Sequence, residues 1–258
     1  MNNIDKLINM INESNNIVVF TGAGVSTDSG LKDFRSKDGL YKKPSPYPAE
    51  YMLSSNCFYM HQEEFFEYYK ENFNCLDSKP NATHRLIKYL EDIGKLKAVI
   101  TQNIDGLHTK AGNKLVYEIH GTIYKNHCLK CNKEYEAKYV FESEGVPKCK
   151  CGGIIKPDVV LYGEMLPDYD YMGGLLAISK ADMLIVCGSS LTVYPASGMI
   201  DSFDGKYLVI INNSKTPYDG KANLVINDNL AKISEIIIDN LKNKVSKWYL
   251  IFFYLLKI

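Results

Sequence analysis

The 258 residues carry no net charge, because 30 lysines and arginines stand against 30 aspartates and glutamates. No bulk field therefore draws the chain toward nucleic acid or an acidic membrane, and neither partner is expected. The conspicuous apolar run, Trp248 to Leu256, has nine residues, against the roughly 20 that a helical membrane span needs. It reads as the end of a last helix packed on the body, with a partner-seeking tail as the alternative. The first residues, Met1 to Lys6, lack the charged and apolar blocks of a signal peptide, so a cytoplasmic protein is expected. In that compartment the seven cysteines are expected as thiols or metal ligands rather than disulfides. No internal repeat or low-complexity linker interrupts the chain, and a length of 258 residues suits one large domain carrying a small insert, working as a monomer.

Hydrophobic spacing supplies the architecture. Ile4, Leu7, Ile8 and Ile11 fall at i, i+3, i+4 and i+7, one buried face of a helix from Asn3 to Ser14. Four runs, Ile17 to Phe20, Leu96 to Ile100, Met183 to Cys187 and Tyr207 to Ile211, are apolar without alternation and end in small polar residues. Strands covered on both faces have this signature. Helical segments from Ala82 to Glu91, Tyr169 to Ser179 and Leu230 to Lys242 alternate with them. The implied fold is α/β, a doubly wound parallel sheet of Rossmann-like type with its ligands at the carboxyl ends of the strands. Residues 1–40, 75–121 and 157–245 are assigned to that domain, and 246–258 to an apolar tail. Two stretches depart from the alternation: a proline- and aromatic-rich excursion over 41–74, and a cysteine-bearing module over 122–156.

Several constellations carry chemistry. Gly22-Ala23-Gly24 directly after a strand lets backbone approach a pyrophosphate, and the helix start that follows favours negative charge. Thr27 stands where the ordinary dinucleotide fingerprint has its third glycine, so the loop alone is also compatible with a plain tight turn. Downstream, Phe34 beside Arg35 can cover a bound cofactor while the guanidinium meets phosphate or carboxylate. Cys128-x-x-Cys131 and Cys149-x-Cys151-Gly152-Gly153 have Cys₄ zinc-site spacing; with no open coordination position the ion is expected to be structural. His127 is the alternative ligand. Among five histidines, His120 is the candidate base, because imidazole titrates near neutrality. His108 is read as a loop buttress, His84 as an aid to a helix start, and His61 and His127 as surface residues. Asn103 and Asp105 alternate along one loop and so face the same way; Asp105 alone could be a general acid or a solvated turn carboxylate.

Gly22 to Ser26, Ser29-Gly30 with Asp33-Phe34-Arg35, Thr101 to His108, and His120-Gly121 closely resemble the signature blocks of the sirtuins, NAD-dependent protein deacylases. The resemblance runs in order from about Asn16 to Asp228. It implies that NAD is consumed as co-substrate in removing acetyl from protein lysine, with nicotinamide and O-acetyl-ADP-ribose as products. It gives His120 the deprotonation of a ribose hydroxyl, with Asn103 beside it in the catalytic pair. Phe34, Ile104 and Asp105 would hold nicotinamide, and Gln102 and Asn103 the ribose and a water. The cofactor set is completed by Gly22, Ala23, Gly24, Thr27, Arg35, Gly188, Ser189, Ser190, Asn212 and Asp228. Val159, Val160, Tyr162, Gly163, Glu164 and, on a second edge, Val193 would bind acetyl-lysine peptides by strand pairing, and one zinc would sit on the four cysteines.

Two departures stand out. Lys32 replaces the proline usual before Asp33, and the Tyr-x-x-Arg clamp for acidic acyl groups is missing, since Glu71 and Asn72 follow Tyr68 and Tyr69 at that spacing. Succinyl removal is thus disfavoured. Mono-ADP-ribosyl transfer and removal of longer acyl chains would use the same site. A nucleic-acid-binding zinc ribbon is disfavoured, because Lys125, Lys130, Lys133 and Lys138 are answered by Glu134, Glu136, Glu142 and Glu144.

Overall fold

A computed structural model describes residues 2–255, with side chains described as far as 243. The side chains of the apolar tail, on which two expectations rest, lie outside the described residues. In chain order the regular elements begin with helix α1 (Asn3–Glu13), strand β1 (Ile17–Thr21) and helices α2 (Ala49–Met52), α3 (Ser55–Met60), α4 (Gln62–Phe73) and α5 (Ala82–Asp92). Then come β2 (Leu96–Thr101), α6 (Leu107–Lys110), β3 (Val116–Glu118), β4 (Gly121–Cys128), β5 (Glu134–Glu136), α7 (Ala137–Glu142) and β6 (Ile155–Val159). The chain continues through α8 (Asp168–Lys180), β7 (Met183–Cys187), β8 (Tyr207–Ile211) and β9 (Leu224–Ile226) to α9 (Leu230–Leu255). Among the described residues no helix is long and apolar enough to cross a membrane.

Six strands form one sheet in the order β3-β2-β1-β7-β8-β9, and every pairing in it is parallel. The four expected strands are its centre. Apart from exposed Lys97 and half-buried Tyr207, their residues are buried because helices cover both faces: α1, α5 and α9 bring Leu7, Ile11, Leu90 and Ile237 against Val19, Val99, Ile185 and Val209. On the opposite face Ile178 of α8 and Met199 meet Phe20, Ile100, Val186 and Ile210. The chain leaves β1 toward β2 on one side and reaches β7 on the other, so a crevice opens at the carboxyl ends of β1 and β7. The short edge strands β3 and β9 are additions to the sequence reading.

The two departures from the alternation share one core. Phe58, Phe65, Phe66 and Tyr69 of the helical excursion pack against Val140 of α7 and Ile155 of β6. Rings of Tyr69 and Phe141 stack with centroids 5.4 Å apart. A three-stranded antiparallel sheet, β5-β4-β6, supports this lobe, and β6 runs to Val159, past the boundary expected at 156.

Candidate active site

Glycine first fixes the floor of the crevice. A Cβ at Gly24 would stand 2.9 Å from the Gly188 Cα, and one at Gly22 would stand 2.8 Å from the Gly188 oxygen. The loops leaving β1 and β7 therefore touch backbone to backbone, and Gly24 N–H donates to the Gly188 carbonyl at 2.9 Å. The same loop is tied to α5, because the Asn81 side-chain amide donates to the Val25 carbonyl at 2.7 Å and to Ser29 Oγ at 2.9 Å.

Beneath it lies a buried polar network. Ser26 Oγ donates to Asp105 Oδ2 at 2.6 Å and accepts from Asn103 Nδ2 at 3.1 Å. Asp105 Oδ1 accepts the Leu107 N–H at 2.9 Å. Asn103 and Asp105 thus do face the same way, converging on a serine that motif reading left without a role. Burial pushes the Asp105 carboxyl above its ordinary range, against the pull of the Ser26 and Leu107 donors. Gln102 Nε2 donates to Ser189 Oγ at 2.8 Å, joining the ends of β2 and β7.

His120 follows β3. Its Nδ1 lies 3.0 Å from the Gln102 carbonyl, and a carbonyl oxygen only accepts, so the proton sits on Nδ1 and Nε2 keeps its lone pair. Burial lowers the pKa, partly opposed by that carbonyl, and the ring is neutral at neutral pH. An imidazole held as the Nδ1–H tautomer is equipped to accept a proton at Nε2.

The other histidines divide. His84 Nδ1 accepts the Asn81 N–H at 3.3 Å, closing a capping box on α5. His108 Nε2 meets Thr21 Oγ1 at 3.0 Å, the buttress expected of it. The rings of His84 and His108 are tilted 53° to one another with centroids 4.8 Å apart. His61 and His127 are only partly exposed, and His127 Nδ1 pairs with Asp158 across β4 and β6, so neither is a plain surface residue.

A cleft of ≈ 560 Å³ gathers these parts. Gly22, Ala23, Gly24, Thr27, Phe34, Arg35, Gln102, Asn103, Ile104, Asp105, His120, Gly188, Ser189, Ser190 and Asn212 all line it. Val159, Val160, Tyr162, Gly163, Glu164 and Val193 line it as well. Asp228 does not. Its Oδ1 accepts the neighbouring Asn229 N–H at 2.7 Å and its Oδ2 lies 3.7 Å from the Lys232 ammonium, and the residue stands exposed before α9. Glu164 lines the wall with its carboxylate occupied: Oε2 accepts the Leu161 N–H at 2.9 Å and the Lys156 ammonium at 3.1 Å. Tyr41, Ser26, Ser214 and Lys215 also line the cleft; the serine in Gly22 to Ser26 was the one of these with a sequence signal.

Away from the cleft, the four cysteine sulfurs lie within 4.8 Å of one another. Cys128 and Cys151 are 3.5 Å apart and Cys131 and Cys149 3.6 Å, near the ~3.8 Å that a tetrahedron with Zn–S of ~2.3 Å requires. The Lys130 N–H points at Cys128 Sγ and the Cys151 N–H at Cys149 Sγ, and the latter donor holds the Cys149 thiol down to about 6. A Cβ on Gly153 would stand 2.6 Å from Cys128 Sγ. Donor set and spacing fit one zinc ion, with no further protein ligand required.

A switch-point crevice floored by glycine backbone, with a buried Asn–Ser–Asp network and a neutral histidine at its mouth, defines a Rossmann-like nucleotide site joined to a small zinc-binding lobe. The model of the Sir2 family matches residues 22–195, and the chain belongs to that family. It is 52% identical over 242 residues to the NAD-dependent protein deacetylase of Clostridium acetobutylicum, covering 92% of this chain and 99% of that protein. It is also 52% identical over 240 residues to the enzyme of the same name from Clostridium perfringens, covering 92% and 98%. Among solved structures, a Sir2 protein with deacetylated p53 peptide and 3′-O-acetyl-ADP-ribose superposes with a TM-score of 0.86 at 38% identity, covering 93% of this chain and 98% of that one. A Sir2 complex with p53 peptide and NAD⁺ gives 0.82 at 38% identity, with the same coverage.

Proposed function

We propose that the chain is an NAD-dependent protein-lysine deacetylase. The observation that carries the reading is His120, a neutral imidazole whose Nδ1 proton is committed to the Gln102 carbonyl and which lines the same cleft as the glycine floor and Asp105. NAD supplies the electrophilic ribose carbon that receives the acetyl group, with nicotinamide as the leaving group.

The chain's own residues do the rest. With the Gly22 and Gly24 N–H groups donated to the Cys187 and Gly188 carbonyls, the Ala23 N–H is the one in this loop left to meet the pyrophosphate. Ile104 and Phe34 close an apolar slot for nicotinamide, and Asp105, fixed by Ser26, presents its carboxyl to the carboxamide. Asn103 and Gln102 orient the ribose and a water. His120 accepts a ribose hydroxyl proton at Nε2. The Val159–Gly163 segment pairs with the acetyl-lysine peptide through main-chain groups, and Val193 forms the opposite edge.

The acyl preference follows from side chains already engaged. Lys43 Nζ is bonded to Glu71 at 2.7 Å and to Asn72 Oδ1 at 3.0 Å, so positions 71 and 72 present no free cation to a succinyl carboxylate. All seven cysteines are free of disulfides, which suits a reducing compartment such as the cytoplasm.

The test is His120→Tyr, assayed for nicotinamide release with an acetyl-lysine peptide and NAD, with products identified by mass. Loss of release, and O-acetyl-ADP-ribose from the parent protein, are expected. Near-normal turnover in the variant would remove His120 from its role, and ADP-ribose attached to protein would replace deacetylation with mono-ADP-ribosyl transfer.

A further inference from the structure

The loop that carries Phe34 and Arg35 is bound to the peptide-facing segment by two tyrosines. The hydroxyls of Tyr41 and Tyr162 lie 2.8 Å apart. Tyr41 governs the loop: its N–H donates to the Phe34 carbonyl at 3.0 Å, and the Leu40 N–H donates to that of Asp33 at 2.9 Å. The Tyr41 ring sits 5.6 Å from Phe34, and the Arg35 guanidinium carbon lies 5.0 Å from its centroid. One side chain therefore touches both residues expected to cover the cofactor.

Tyr162 is anchored on the other wall. Its N–H donates to the Leu53 carbonyl at 2.9 Å and its carbonyl accepts the Ser55 N–H at 3.0 Å, so its backbone moves with the small lobe. The phenol pair spans the gap between this fixed wall and the loop.

We propose that Tyr41 and Tyr162 are positioning residues that couple the two ligands: seating a peptide against the 159–163 segment fixes the Tyr162 hydroxyl, which holds Tyr41 and with it Phe34 and Arg35 over the cofactor. The ligands' identity rests on the deacetylase reading, whereas the coupling of the two walls rests on the hydrogen bond. Coupling between two sites is reciprocal. One net hydrogen bond sets its size at about two- to tenfold in affinity.

Tyr41→Phe and Tyr162→Phe keep the rings, and so the contacts of Tyr41 with Phe34 and Arg35, leave the backbone bonds of Tyr162 to Leu53 and Ser55 in place, and delete only the phenol bond. ADP-ribose, which is not consumed, is titrated calorimetrically into the full chain, into each variant and into the double variant, with and without an acetyl-lysine peptide. The peptide is expected to tighten ADP-ribose binding to the parent protein. Each single variant should lose about two- to tenfold of that enhancement and the double variant no more than either single, since both delete one bond. An enhancement unchanged in both singles, absent from the parent, or lost multiplicatively in the double variant overturns the proposal. NAD consumption with the same peptide is measured in parallel: its absence beside intact, bond-dependent coupling rejects deacetylation and supports the latch.

Discussion

The adjacent buried imidazoles of His84 and His108 make the stability of the fold depend on pH in a calculable way. Asn81 N–H fills the His84 Nδ1 acceptor site, so the His84 proton rests on Nε2, which is buried without a hydrogen-bond partner, as is His108 Nδ1. Neither ring can charge there without losing solvation. Burial lowers His84 to about 4 from its ordinary 6.5 and drives His108 well below it, with His84 adding to the effect. Below pH 6.5 the unfolded chain binds protons that the folded chain refuses, so stability is full above that pH and falls as pH drops toward the folded value. The limiting slope is about 1.4 kcal/mol per pH unit for each histidine, which amounts to about 2 kcal/mol for His84 between pH 7.5 and pH 5.

His84→Gln isolates this share. Glutamine at the third helical position can still accept the Asn81 N–H through Oε1 and so keep the capping box, but it does not titrate. Urea unfolding followed by far-UV circular dichroism at pH 7.5, 6.5, 5.5 and 5.0 gives the slope for both proteins; any acid release of metal from the cysteines is common to the two. The variant should start ~1 kcal/mol less stable at pH 7.5 from imperfect packing and close that gap as the pH falls, ending more stable than the parent at pH 5. Parallel pH dependences would refute the claim that His84 is held neutral.

Four further outcomes follow from the geometry. The acid limb of the kcat/KM profile should fall below the ordinary histidine pKa, because burial lowers His120 and the base stays unprotonated into mildly acid solution; a limb at or above pH ~6.5 counts against it. Asp105→Asn turns an acceptor that receives Ser26 at 2.6 Å into a group that can present a donor there, and should cost about tenfold or more in kcat/KM for NAD in steady-state assays. Gly121→Ala places a Cβ 2.0 Å from the Asp158 oxygen at φ +72°; a ~3 kcal/mol loss should lower the melting temperature by about 6–12 °C in calorimetry. Elemental analysis should find one zinc per chain, lost in Cys149→Ser, and chelation should lower the melting temperature and activity together, because the knuckle cysteines Cys128 and Cys149 pack in the same core as Val159 and Leu161 of the cleft wall.

The central strands were legible because a parallel strand covered on both faces loses its alternation: Ile17 to Thr21 and Met183 to Cys187 are buried at every position. Strands β3 and β9, three residues each, are too short for any period and are defined only by their neighbours. The cysteines were legible because four thiols at knuckle spacing have few other uses. The common core of the excursion and the zinc module was not, since Phe65 and Ile155 meet through tertiary packing that leaves no local pattern. The same holds for the Ser26–Asp105 bond and the His84–His108 contact, which join residues from separate elements.

The glycine contact between the β1 and β7 loops limits what substitution can change. A side chain at Gly22, Gly24 or Gly188 meets main chain rather than a movable neighbour, with a Cβ on Gly188 only 2.5 Å from the Val25 nitrogen at φ +60°. Room for it exists only if the two central strands part, and these carry the core on both faces of the sheet. The floor of the cleft is therefore made of peptide dipoles whose pattern is written by the fold and is inaccessible to point mutation. Any drift in nucleotide preference, natural or engineered, is confined to the rim, where Asn212, Ser214 and Lys215 offer side chains that can be exchanged without moving a strand.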